Sequence, residues 1–126
     1  LGSDMTYLGP VYGIDKSLFF ESIDVFSFPS LYRNEAAPLV LLEAFSFGVS
    51  CVAFNVGCVA DTVDSKSGRL VCVDDAYSSE FFNYLSEIDL FSSSINSRIR
   101  YEELVKEHLL QLDEFIFMLS SESIDS

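Results

Sequence analysis

The sequence predicts an α/β fold, a mostly parallel sheet flanked by helices, and three observations carry that expectation. Short apolar runs of strand length alternate with helix-length segments from residue 23 onward. The connections are brief, and neither an internal repeat nor a linker divides the 126 residues. Cys51-Val52-Ala53-Phe54 is a continuous apolar run, the pattern of a strand covered on both faces. Such alternation implies parallel strands joined by right-handed crossovers, the doubly wound arrangement. With 49% apolar residues the chain has enough to bury a core of its own and reads as one domain.

Taken in order, Tyr7-Leu8-Gly9-Pro10-Val11 is extended in character and closed by a Gly-Pro breaker, so it reads as a strand end or the turn after it. Asp15 is a plausible N-cap for two helical turns over residues 16–22. Ile23 to Phe28 is a strand that Pro29 stops, because proline donates nothing to a sheet ladder. Residues 39–47 form the best-marked helix, with Pro38 where a missing N–H costs nothing and Gly48 where positive φ is often needed. The Cys51 strand follows, then a tight loop through Asn55-Val56-Gly57, one helical turn over residues 59–63 and a strand over 68–73. Ser78 and Ser79 can cap a helix ending near Ile88. The expected organisation is an α/β core over about 1–92, a terminal helix over about 93–120 and a frayed polar tail, 121–126. The end of that helix, Phe115-Ile116-Phe117-Met118-Leu119, is apolar all round and predicts self-association or another partner.

The net charge of −13 argues against a nucleic-acid partner, since tracking phosphates requires clustered Lys and Arg. It also opposes anionic lipid, and no apolar run reaches the roughly 20 residues that span a bilayer. Cys51, Cys58 and Cys72 stand in apolar or small-residue contexts without Cys-x-x-Cys spacing, and His108 is the single histidine. No metal site is expected; buried thiols in a reducing compartment are, and hence a cytoplasmic protein. The chain starts at Leu1 without a basic region before an apolar stretch, so no secretory signal is expected, and it reads as a piece of something longer.

Chemistry concentrates in Asn34-Glu35-Ala36-Ala37-Pro38-Leu39-Val40-Leu41-Leu42-Glu43-Ala44. In parallel α/β sheets ligands bind beyond the carboxyl ends of the strands, and this segment follows one. Glu35 precedes the helix and Glu43 lies inside it, so the two bracket its free N-terminal amides at residues such as Leu39 and Val40. Such amides attract phosphate, and carboxylates on either side can accept bonds from flanking hydroxyls, while Ala36 and Ala37 let a ligand approach the backbone. The plain alternative is a dipole-favoured Glu35 and a solvated Glu43. Against it, Glu43 stands in a helix otherwise apolar from Pro38 to Phe45, where a charge needs a partner or a ligand.

Asp24-Val25-Phe26-Ser27-Phe28-Pro29-Ser30, then Glu35 with seven residues before Glu43-Ala44, then Phe47-Gly48-Val49-Ser50-Cys51-Val52-Ala53 and Gly57, resembles the signature of glycosyltransferase family 4. Leu8-Gly9 and Gly68-Arg69-Leu70-Val71 also fall where that family has a Leu-Gly pair and a Gly-x-Leu-Val strand, so the resemblance covers roughly residues 7–75. It implies a partial C-terminal domain of a GT-B glycosyltransferase, Rossmann-like, facing an N-terminal acceptor domain absent from this chain. The implied reaction moves a sugar from a nucleotide-diphosphate sugar to a hydroxyl with retention, needs no cofactor or divalent metal, and is one this chain alone should not catalyse. Glu35 would hold donor-sugar hydroxyls as the catalytic-site carboxylate, with Ala36 and Ala37 beside it. Glu43 would bind the ribose hydroxyls, and the amides near Leu39 and Val40 would face the diphosphate. The family often has Gly and an aromatic or aliphatic residue where Ala36 and Ala37 stand, and its phosphate-neutralising basic residues precede the segment matching residue 7.

Other candidates read more simply. Arg33 either reaches phosphate or opposes surface carboxylates, Asp74-Asp75 is a strand-end loop, and His108 is solvated or packed on its helix. Ser27 and Ser30 have no neighbouring histidine, and Gly57 lacks a dinucleotide fingerprint, serving as a turn or shaping a ligand pocket. Two other functions stay open: a non-catalytic α/β interaction module, and a fragment of a GT-B nucleotide-sugar epimerase.

Overall fold

The structure, a computed structural model, describes residues 8–9, 11–31 and 39–125. Three parallel strands, β1 (Val25–Phe28), β2 (Ser50–Phe54) and β3 (Gly68–Val71), lie side by side in chain order. Among the described residues five helices cover them: α1 (Ile14–Ser22), α2 (Leu39–Ser46), α3 (Val59–Thr62), α4 (Tyr77–Glu87) and α5 (Leu90–Asp125). The fold is α/β, as the sequence predicts, and among the described residues the strand order does not reverse.

β2 is the centre. Ser50, Cys51, Val52 and Ala53 are completely buried, and alternation sends Cys51 and Ala53 to one face and Val52 and Phe54 to the other. On the first face they meet Phe20 of α1, Leu41, Ala44 and Phe45 of α2, Val59 of α3, and Tyr101 and Leu104 of α5. On the second they meet Tyr77, Phe81 and Tyr84 of α4. The Tyr77 hydroxyl donates to Val52 O at 2.7 Å and accepts from Ser27 Oγ at 2.7 Å, tying α4 to two strands. Arg69 of β3 adds a second tie, its guanidinium 5.3 Å from the Tyr84 ring centroid and paired with Glu80 and Glu87.

The helix ends follow from local chemistry. Gly48 takes φ 72°, Val49 N donates to Ala44 O and Gly48 N to Phe45 O, so α2 closes in a Schellman motif at the glycine the sequence marks. α1 starts after Gly13, with Asp15 in its first turn and not at the cap. α4 starts at Tyr77, ahead of the two serines expected to cap it. α5 starts at Leu90, three residues before the expected start, because Asp89 caps it by accepting from Phe91 N and Ser92 Oγ, and the helix runs to Asp125. Its first half packs on α2, whereas Leu109, Leu110, Leu112, Ile116, Phe117, Met118 and Leu119 are exposed. Among the described residues no helix is long and apolar enough to cross a membrane.

The cysteines divide. Cys51 is buried in the central strand, and burial pushes its thiol far above the ordinary range. Cys58 and Cys72 are exposed, contrary to the expectation for all three: Cys58 caps the start of α3 after the Gly57 turn, and Cys72 directly follows β3. Gly57, at φ 51°, turns the chain before Cys58.

The entry to β3 is held by the Asp64 carboxylate, which accepts from Lys66 N, Ser67 N and Ser67 Oγ. Arg100 of α5 lies 3.8 Å from it and donates to the Thr62 and Asp61 carbonyls at the end of α3. Partial burial works against the charged carboxylate, but the Ser67 and Lys66 hydrogen bonds and the Arg100 charge outweigh it, and the Asp64 pKa falls below its ordinary value. A depressed carboxylate stabilises the fold above the unfolded pKa, about 3.9, and that stabilisation disappears as pH falls through the folded value. Asp64→Asn should therefore lower the urea midpoint at pH 7, with the gap to the parent chain closing below about pH 4.

Gly68 sits opposite Cys51 in the parallel ladder, where a Cβ would collide with the Cys51 carbonyl, a backbone atom that cannot turn aside. Gly68→Ala should cost about 3 kcal/mol, read as a fall in the urea midpoint with the slope unchanged.

Candidate functional site

α2 connects two parallel strands and so runs antiparallel to them, which sets its N-terminal end at the carboxyl edge of the sheet. α1 is joined to the start of β1 by Ile23 and Asp24 alone, so its first turn points to the same edge. Both helices present their early residues where ligands of such sheets bind.

Aromatic packing fixes α1 there. Phe20 is buried, with its ring 5.5 Å from Phe26 of β1 in an edge arrangement and 5.9 Å from Phe47 in a stacked one. Phe19 adds an edge contact to Phe26 at 6.5 Å. Lys16 lies three and four residues before these anchors and therefore on their side of α1. Val40, Glu43 and Phe47 form the corresponding stripe on the α2 side. Where the two stripes meet, Lys16 Nζ donates to Glu43 Oε1 at 2.8 Å, with side chains 37% and 40% exposed. The charge in the apolar helix thus has a partner. Among the described residues nothing donates to Glu43 Oε2.

Beside this pair opens a cavity of about 340 Å³, lined by Leu8, Gly9, Val11, Lys16, Phe19, Phe20, Phe26 and Val40. Its wall is apolar apart from the Lys16 ammonium and exposed backbone. Leu8-Gly9 and Val11 thus border the site without forming a strand, with Gly9 at φ 70°. Pockets of this kind, apolar with a few polar groups at one side, are the usual form of small-molecule sites.

Of the residues singled out from the sequence, Val40 lines the cavity and Glu43 stands at its margin, while the Leu39 side chain is 69% exposed. Glu35, Ala36, Ala37, Pro38 and Arg33 lie outside the described residues. His108 is exposed on α5 and faces a second cavity, about 270 Å³, between α5 and Leu39 and Leu42 of α2. Asp74 and Asp75 are exposed in the turn after β3. Among the described residues no group of three or more His, Cys, Asp or Glu could hold a metal ion. Lys16 escaped the sequence reading because its partner is 27 residues away and no local pattern joins them.

Residues 1–88 match the family described as Glycosyl transferases group 1. An uncharacterized glycosyltransferase of Haemophilus influenzae is 37% identical over 59 residues, which cover 46% of this chain and 16% of that relative. The matched stretch thus spans a small part of the relative's length. The family match extends over more than half of the 126 residues and takes in all three strands, α1 to α4 and the Lys16–Glu43 pair. The chain belongs to the group 1 glycosyl transferases.

Proposed function

We propose that this chain is the donor-binding part of a retaining GT-B glycosyltransferase, moving a sugar from a nucleotide-diphosphate sugar to a hydroxyl acceptor. The observation that carries the reading is the place of Glu43: a carboxylate one turn into α2, at the carboxyl edge of the sheet, beside an apolar cavity. A carboxylate with an oxygen to spare suits a vicinal diol, because both hydroxyls of a ribose can donate to it. The adjoining cavity suits the flat heterocycle attached to such a ribose, which needs apolar walls and backbone groups rather than counter-charges. Val40, one turn before Glu43, bridges the two parts.

In this reading Glu35 holds hydroxyls of the transferred sugar, Ala36 and Ala37 allow its close approach, and the amides at Leu39 and Val40 face the diphosphate. Charge develops on that diphosphate as the glycosyl bond breaks, so donors aimed at it favour the transition state over the ground state. The acceptor arrives from a second domain, and the isolated chain binds donor without transferring the sugar.

Glu43→Gln keeps the shape of the side chain and removes its charge. In calorimetric titrations of the full-length protein with UDP-, GDP- and ADP-sugars, the donor that binds the parent should lose about tenfold or more in affinity. The thermal midpoint should barely move, since a pair this exposed contributes little to stability. Unchanged donor affinity would remove Glu43 from the site.

A further inference from the structure

We propose that Lys16 is a positioning residue for Glu43, holding one carboxylate oxygen so that the other is presented to the ligand. The proposal rests on the reading of Glu43 as the ribose-binding group. A glutamate on a half-exposed helix position samples many rotamers, and a ligand that needs one of them must bear the cost of selecting it. Here the selection is made before the ligand arrives. Lys16 Nζ takes Oε1 at 2.8 Å, and the ammonium is itself placed by a helix that Phe20 locks between β1 and Phe47. Preorganisation of this kind raises affinity without adding a contact to the ligand.

Two features of the pair favour a positioning role over a direct one. Lys16 and Glu43 come from different helices, so the contact fixes the carboxylate relative to the cavity and not merely along its own helix. The ammonium also screens the carboxylate at the margin of an apolar cavity, where an unpaired charge would be unfavourable. The chain has 7 Lys and Arg against 20 Asp and Glu, and one of these few cations is set against this carboxylate.

The test uses the full-length protein with UDP, GDP and ADP as probes, together with their 2′,3′-dideoxy counterparts and the corresponding nucleosides. Lys16→Met should weaken binding of the preferred nucleotide about tenfold, and Lys16→Arg should restore it to within about threefold. The Lys16→Met loss should persist for the nucleoside and vanish for the dideoxy nucleotide, which lacks the hydroxyls that Glu43 accepts. A loss that vanishes for the nucleoside instead makes Lys16 a phosphate ligand and overturns the proposal. So does an equal loss for the dideoxy nucleotide, or no loss at all in a protein whose Glu43→Gln variant binds weakly. If Glu43→Gln binds as well as the parent, or if none of the three nucleotides binds, the donor-site reading fails first and the positioning role falls with it.

Discussion

Ser50 to Ala53 have no exposed face, and a strand in that position must be covered from both sides by side chains that fit it. Cys51 and Ala53 are small, so the first layer brings bulk to them: Phe20, Leu41 and Phe45 fill the space their short side chains leave. Val52 turns to the other layer, where the tyrosines of α4 carry hydroxyls that need partners. Tyr77 finds Val52 O and Ser27 Oγ, and burial raises its pKa. Tyr84 is likewise raised by burial, close to a Ser50 hydroxyl that is itself buried outside hydrogen-bonding geometry. The same confinement explains why Gly68 must lack a side chain: β3 passes too close to the Cys51 carbonyl for a Cβ to fit.

The site inherits its geometry from that packing. Phe20 reaches the core between Phe26 and Phe47, so the first turn of α1 and the early part of α2 are held at one distance from each other. Buried aromatic contacts have a single good fit, whereas two charged side chains on long stems have many. The order of dependence therefore runs from the central strand to the aromatic cluster, from that cluster to the relative setting of two helices, and only then to the Lys16–Glu43 contact. A core substitution at Phe20 would reach the site by this route without touching any polar group.

The sequence made local features legible and tertiary ones not. α2 could be read because Gly48 marks its end and an apolar run fills it, and β2 could be read because four apolar residues in a row need cover on both faces. Glu43 stood out for a physical reason, a charge in an apolar helix, and the expected partner exists. Its identity was hidden because Lys16 belongs to another helix, and i to i+4 rules do not reach 27 residues. The exposed Cys58 and Cys72 show a related limit: an apolar neighbourhood in sequence becomes a buried one only where a second layer lies over it, and these two stand at the start of α3 and directly after β3. The start of α5 was expected near residue 93, three residues too late, because the Asp89 cap that sets it was not read from the sequence.

A half-exposed ion pair contributes on the order of 0–1 kcal/mol to stability, no more than one of the aromatic contacts beside it. Lys16–Glu43 is thus a poor account of why α1 and α2 stay together, and the phenylalanines are a sufficient one. Two other cations lend contrast. Arg69 joins β3 to α4 through two carboxylates and a ring, and Arg100 ties α5 to the end of α3 through two carbonyls, each with several contacts between elements that need fastening. Lys16 makes one contact between helices already fastened, at the margin of a cavity, with a carboxylate that keeps a free oxygen among the described residues. What the lysine changes is the set of directions that carboxylate can take, and direction matters when the group has a ligand to meet.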